Sequence, residues 1–298
     1  MIDKPAGPTS FGVVSRLKRA SRIKKVGHTG TLDPMATGVL CLCFNQATKL
    51  VPFLQEGAKE YSGRFLLGLT TDTDDLTGRV TSRDQRETVD EAEVIRGAAE
   101  FVGPIWQVPP DFSAVKIGGR PAYKLARSGE KPALKARLVT IHDFRITGVD
   151  GLLVSFFARV SKGTYIRSLA ADLGRRLGLG GCLESLRRLT SEPFGLQNSV
   201  SLEAAEEAAR QDRLGEILIT LEQALSFLPE VKVSGELARM ASHGRPLPLS
   251  DLTSFDPRPG PVRVRSDEAG LLAVYEYKPT FQESETGYLS PLRVMERK

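Results

Sequence analysis

The stretch KVGHTGTLDPMATGVL, residues 25–40, decides how this chain is read. It starts in a basic segment, passes three glycines and one carboxylate, Asp33, and runs into GVLCLCF, residues 38–44, which has the composition of a buried strand. Asp33 ahead of Pro34 fits a helix N-cap with proline in the first turn. Gly27, Gly30 and Gly38 instead allow close backbone approach. A carboxylate held beside a positive surface can act as nucleophile or base. Both readings of Asp33 stand on the residues alone.

Upstream, Thr9 and Ser10 are good N-caps, and Val13, Val14 and Leu17 recur at helical spacing, predicting a helix over about 11–20. Six of the ten residues from Arg16 to Lys25 are basic (Arg16, Lys18, Arg19, Arg22, Lys24, Lys25) and none is acidic. Such a run suits either a polyanion such as nucleic acid or an ordinary solvated helix face. The imbalance is local: residues 1–59 hold nine Lys or Arg against three Asp or Glu, while the whole chain is only +5.

The 298 residues allow a large core and two domains, and 41% hydrophobic with 26% charged residues argues against wholesale disorder. No apolar run approaches twenty residues, and no signal peptide precedes the first helix, so no membrane span and a cytoplasmic location are expected. Three cysteines, an odd number, fit a reducing compartment. Cys41 and Cys43 alternate along one predicted strand face and read as small buried hydrophobes. His28, His142 and His243 are scattered, so no metal site is expected.

Downstream, KEYSGRFLLGL predicts a strand over 59–69, and Asp90 opens an acidic helix to about Phe101. Residues 136–161 predict two strands around Val149-Asp150-Gly151. TYIRSLAADLGRRLGL predicts an amphipathic helix with Ile166, Leu169, Ala170, Leu173 and Leu177 inward. A further helix is expected from Leu202 to about Ala209. LTTDTDDLTG, residues 69–78, looks at first like a calcium loop, but Thr77 and Arg83 occupy the places that need Gly and Glu, leaving an Asp-capped polar turn. Gly178–Gly181 follows a helix and reads as its C-cap rather than a phosphate cradle. Deaminase and hydrolase-elbow motifs are absent. These elements define an α+β fold with a mixed, largely antiparallel central sheet and flanking helices. Proline-rich and turn-rich sequence beyond Leu228-Pro229 marks a small β-rich appendage, placing domains at 1–227 and 228–298.

Five segments carry a more specific signal: DKPAGPTS (3–10), GHTGTLDPMATGVL (27–40), KEY (59–61), FSAVKIGGRPAYKLAR (112–127) and SKGTYIRSLAADLG (161–174). In this order they resemble the bacterial tRNA pseudouridine-55 synthase family over about residues 1–195. Residues 228–298 resemble, more loosely, that family's PUA-like RNA-binding domain. Only three residues precede Lys4, so the first strand is expected to fray or to begin upstream.

The resemblance implies an enzyme that everts uridine 55 from the T loop of tRNA, breaks its C1′–N1 bond and joins C1′ to C5, without cofactor or metal. It implies Asp33 as the catalytic aspartate, by attack on C1′ or by proton removal to a glycal. Arg167 would pair with it, and Tyr61 would stack on the everted base and take part in the final proton transfer. His28, Tyr165 and Leu186 would line the substrate pocket. Arg16, Lys18, Arg19, Arg22, Lys24 and Lys25, with Arg187 and Arg188, would meet RNA phosphates. Lys4 and Lys116 would steady the fold or touch phosphate. A T-arm stem-loop as partner and a monomer are expected. A non-catalytic RNA-folding module, a guide-RNA-dependent pseudouridylase subunit and a uracil-releasing glycosylase remain as competitors.

Overall fold

The structure is a computed structural model and describes residues 1–252, 255, 258–277 and 287–295. Contacts divide the chain into two compact units. The first comprises Met1–Arg16, Gly30–Cys41 and Gln55–Ala205; the second comprises Leu17–Thr29, Leu42–Leu54 and the chain from Glu206 onward.

In the first unit, nine strands among the described residues form one sheet: β1 (Ile2–Lys4), β2 (Thr37–Leu40), β3 (Lys59–Leu67), β4 (Gly103–Gln107), β5 (Arg137–Asp150), β6 (Leu153–Val160), β7 (Gly181–Ser191), β8 (Phe194–Gly195) and β9 (Val200–Ser201). Their order is β9–β1–β2–β7–β3–β6–β5–β4, with β8 on β7. Only β1–β9 and β2–β7 are parallel, so the sheet is mixed and largely antiparallel, as its composition predicts. β1 is not frayed: it is bonded on both sides, to β9 and β2.

The core gathers where β3, β6 and β5 meet. Phe65 stacks on Phe156 at 4.0 Å between centroids, with Phe144 edge-on to Phe65 at 6.1 Å. Such pairs add about 0.5–1.5 kcal/mol beyond their burial. Three helices matter for the site: α1 (Ser10–Ser21), α2 (Glu91–Ala99) and α3 (Ile166–Arg176). Val13, Val14 and Leu17 of α1 are buried, as are Ile166, Leu169, Ala170 and Leu173 of α3. Asp90 caps α2 by accepting from the Ala92 N–H at 2.9 Å. α3 ends at Leu177, and Gly178 follows with φ +66, the left-handed C-cap expected from its glycines.

Two apolar runs break where one strand each is expected. GVLCLCF divides at Cys41: β2 joins the main sheet, while Leu42–Phe44 pairs with Val26–His28 in the second unit. Both cysteines are buried, but they do not share one strand. The 59–69 run turns at Gly68 (φ +75), and Leu69–Thr71 pairs instead with Val80–Arg83. Glycine is required where β2 crosses β7. Gly38 has φ +100, and a Cβ there would lie 2.1 Å from the Arg188 carbonyl oxygen.

In the second unit, a five-stranded sheet contains β10 (Glu230–Lys232), β11 (Leu247–Pro248), β12 (Gly260–Ser266), β13 (Gly270–Tyr277) and β14 (Tyr288–Val294), in the order β10–β12–β13–β14–β11. Residues 262–277, in the β-rich appendage expected beyond Leu228-Pro229, lie in its β12–β13 hairpin. Val231, Val262, Val264, Leu272, Tyr275 and Leu289 form its core with Ala238 and Ala241 of the helix Gly235–Ser242. Part of the proline-rich segment, residues 253, 254, 256 and 257, lies outside the described residues. No helix among the described residues is long and apolar enough to cross a membrane.

Candidate active site

Asp33 lies in the loop that enters β2, and this loop is a β-turn rather than a helix start. The Ala36 N–H donates to the Asp33 carbonyl at 3.1 Å, with Pro34 at the second position, where its fixed φ suits the turn. The N-terminal motif is the cradle of that turn. Lys4 is wholly buried, and its Nζ donates to the carbonyls of Pro5 (2.8 Å), Pro34 (3.2 Å) and Ala36 (2.7 Å). The Gly7 N–H donates to the Pro34 carbonyl at 2.8 Å. Ser10 Oγ accepts from the Leu32 N–H at 2.8 Å and donates to the Leu32 carbonyl at 2.9 Å. Thus Thr9, accepting from the Gly12 N–H, serves as the cap of α1, while Ser10 holds the residue before Asp33. Burial pushes the Lys4 ammonium down to about 8; the Asp33 carboxylate opposes that and Arg188 adds to it.

Arg167 meets Asp33 from α3. Its Nε donates to Asp33 Oδ2 at 2.9 Å and its Nη2 to Oδ1 at 3.3 Å, a two-point fork. The remaining donors reach the Thr73 carbonyl (Nη1, 2.8 Å) and the Phe112 carbonyl (Nη2, 2.9 Å). The Arg167 side chain is 5% exposed and that of Asp33 is 33% exposed, so the guanidinium is sealed while the carboxylate keeps an open side. A cation in the first turn of a helix opposes the helix dipole. Here Asp33 offsets that cost, together with Asp75, whose Oδ2 lies 3.7 Å from Arg167 Nε.

Asp75 comes from the Asp-rich turn, which is polar and Asp-capped as expected but also faces Arg167. Its Oδ1 accepts from Thr73 Oγ1 (2.8 Å), the Thr77 N–H (2.9 Å) and Thr77 Oγ1 (2.5 Å). The turn is fastened to β7 by Leu183 N–H to Asp74 O at 2.9 Å and Leu76 N–H to Leu183 O at 3.0 Å. Periodicity could not reveal this role; the one available signal was an acid-rich turn that lacks the Gly and Glu a calcium loop needs.

Tyr165 is the N-cap residue of α3, and its main chain is held by one buried amide. Gln107 Oε1 accepts from the Tyr165 N–H at 2.8 Å, and Gln107 Nε2 donates to the Tyr165 carbonyl at 3.1 Å. Burial pushes the Tyr165 phenol above its ordinary value, with Arg137 and Arg167 pulling the other way. Tyr61 on β3 and Leu186 on β7 are buried; Tyr61 stands opposite Arg188 and Leu186 opposite Gly63, which puts them on one face of neighbouring strands.

Asp33, Tyr61, Tyr165, Arg167 and Leu186 all belong to the first unit. His28 and the residues from Lys18 to Lys25 belong to the second; His28 is half-buried in the strand paired with Leu42–Phe44. Lys18, Arg19, Arg22, Lys24 and Lys25 are exposed, and Arg16 is half-buried, 3.9 Å from Glu203. Lys116 is exposed on a short hairpin. Arg188 overturns its expected contact with phosphate: it is buried and donates to the carbonyls of Val39 (2.7 Å) and Gly30 (3.1 Å). Arg187 is committed to Asp3 at 2.7 Å. Among the described residues no group of three or more His, Cys, Asp or Glu is placed to hold a metal ion.

Comparison with known proteins follows the same lines. Residues 18–166 match the TruB family pseudouridylate synthase N-terminal domain, and residues 167–226 match the tRNA pseudouridylate synthase B C-terminal domain. The tRNA pseudouridine synthase B of Syntrophotalea carbinolica is 38% identical over 99% of this chain and 96% of that protein. That of Geobacter sulfurreducens is 38% identical over 99% of this chain and 98% of its own length. Among solved structures, a chain of an H/ACA ribonucleoprotein bound to a substrate RNA containing 2′-deoxyuridine superposes with TM-score 0.73 at 26% identity, covering 99% of this chain and 83% of that one. Fold and sequence together define one class, the pseudouridylate synthases. Within that class, the chain belongs to the TruB family.

Proposed function

We propose that this protein isomerises uridine 55 in the T loop of tRNA to pseudouridine. The observation that carries the reading is the carboxylate of Asp33, forked by a sealed Arg167 yet open on one side. Relatives named tRNA pseudouridine synthase B that align over nearly the whole chain support the substrate.

The target uridine leaves its stack at a cost of about a few kcal/mol and lies against Tyr61, Tyr165 and Leu186. Asp33 then acts on the ribose. In one route its carboxylate attacks C1′ as the C1′–N1 bond breaks, and the pair of electrons leaves on uracil N1. In the other it takes the C2′ proton and a glycal forms with the same leaving group. The freed uracil turns so that C5 faces C1′. In the first route the C1′–C5 bond forms as the C1′–O bond to Asp33 breaks. In the second Asp33 returns the proton to C2′, and C5 bonds to the C1′ cation so formed. In both, C5 then loses its proton while N1 gains one, which restores the conjugated ring. Arg167 orients Asp33 throughout, and Tyr61 takes part in the last proton transfer. Splitting one difficult displacement into two steps is the gain of the covalent route.

The exposed cations among Arg16, Lys18, Arg19, Arg22, Lys24 and Lys25 contact the RNA backbone. Residues 1–227 form the catalytic domain and residues 228–298 a PUA-like RNA-binding domain. The protein works as a monomer in the cytoplasm.

Release of tritium from a T-arm hairpin carrying 5-tritiated uridine tests the reading. Wild-type protein should release the label from naked hairpin, and Asp33→Asn should release none while binding the hairpin with near-normal affinity. No release from the naked hairpin by the wild type would favour an RNA-folding module, and release only with an added guide RNA would favour the guided enzyme. Free uracil as product would mean glycosylase chemistry.

A further inference from the structure

The phenol of Tyr165 lies within electrostatic reach of Asp33, Arg167 and Arg137. Arg167 is neutralised by Asp33 and Asp75. Arg137 is not: its residue is exposed, and among the described residues no carboxylate lies within ion-pair distance of it. Its placement is set by the sheet rather than by a loop. Arg137 opens β5 directly opposite Gln107, the last residue of β4. Opposed residues share a face, so Arg137 stands on the side where Gln107 grips the main chain of Tyr165. A rigid strand therefore carries a free guanidinium at the same tyrosine that Asp33 and Arg167 approach.

We propose that Arg137 binds a backbone phosphate of the RNA next to the everted nucleotide. This rests on the reading that a nucleotide is delivered to Asp33. A polyanion approaching that point meets Asp33 and Asp75, which share the Arg167 guanidinium between them. An unshared cation at the rim offsets the repulsion, and a guanidinium fork matches two phosphate oxygens. Arg137 thus adds an anchor beyond the run from Arg16 to Lys25, one placed at the reacting nucleotide.

The test reads binding apart from turnover. A T-arm hairpin is titrated with wild type, Arg137→Ala, Arg137→Lys and Arg96→Ala at several salt concentrations. Arg96 is exposed on α2, so its loss changes the net charge equally at another place. Arg137→Ala should bind about tenfold more weakly, and the slope of log affinity against log salt should fall by about 0.7–0.9, the value for one lost phosphate contact. Arg137→Lys should restore the slope but not all of the affinity, and Arg96→Ala should keep both. Hairpins with a single uncharged methylphosphonate linkage, moved along the nucleotides flanking the target, then locate the contact. At one linkage, neutralisation should weaken the wild type and leave Arg137→Ala unaffected. An unchanged slope in Arg137→Ala, or no linkage to which the variant alone is indifferent, overturns the proposal. A hairpin that is bound but never releases tritium would sink the isomerase reading while these binding measurements still decide the role of Arg137.

Discussion

Asp33 and Arg167 form a pair whose value is geometric. A guanidinium offers two parallel N–H donors to one carboxylate, whereas an ammonium is a point donor on a flexible stem. Arg167→Lys is expected to lower kcat by about 100-fold with a smaller change in hairpin affinity, because loss of charge-assisted bonds of this kind costs about 1.5–3 kcal/mol each way. Single-turnover tritium release measures it, and near-normal turnover would remove the fork from the mechanism. Asp74 makes a different prediction. Burial pushes its carboxyl up to about 6, with Arg167 opposing and Asp111 adding to the rise. Between about pH 4 and 6 the folded chain holds a proton that the unfolded chain has released, so this group makes stability fall as pH rises through that window. Its charged form then costs stability fully above pH 6. Asp74→Asn is therefore expected to raise stability at pH 7 by about 1 kcal/mol after solvent screening, and to flatten the pH 4–6 part of the profile. Urea unfolding at pH 4, 5 and 7 checks the sign.

At the scale of elements, the segment from Lys4 to Ser10 acts as a clamp on the turn at Asp33. Ser10 satisfies both main-chain groups of Leu32, deep in the first unit. Ser10→Ala leaves a buried N–H and C=O unpaired, at a cost of about 1–3 kcal/mol. Because Leu32 precedes Asp33, kcat is expected to fall while KM for the hairpin stays near the wild-type value. A matching drop in stability with unchanged kcat would show that the clamp serves folding alone. The same logic explains why α3 tolerates a cation in its first turn: two carboxylates from separate loops converge on it.

At the scale of the whole molecule, the second unit is discontinuous in sequence: Leu17–Thr29 and Leu42–Leu54 are grouped with the chain from Glu206 onward. One tie within it is Lys49 Nζ to the Val294 carbonyl at 3.1 Å. Removal of residues 228–298 therefore strips contacts from segments far upstream as well as removing a sheet. The shortened chain is expected to melt at least about 5 °C lower, since 1 kcal/mol corresponds to about 2–4 °C at this size. Calorimetry on both chains tests this; an equal melting temperature would mean that residues 17–54 stand without the C-terminal sheet.

Local sequence alone determined much of this molecule. The inward stripe of α3, the Asp90 cap, the hairpin around Gly151 and the C-cap at Gly178 depend on neighbours a few residues apart, and periodicity and turn chemistry report those directly. Ordered motifs likewise drew attention to Asp33 and Arg167 before any contact between them was visible. Only the tertiary structure decided what surrounds them. The bonds from Arg167 to Asp33 and to Thr73 span 134 and 94 residues, so no local pattern could recruit the acid-rich turn to the site. Nor could composition separate buried Arg188 from exposed Arg137, because a guanidinium reads the same in sequence whether carbonyls enclose it or water does. GVLCLCF is equally apolar throughout, and only the competition of two sheets for its halves divides it at Cys41.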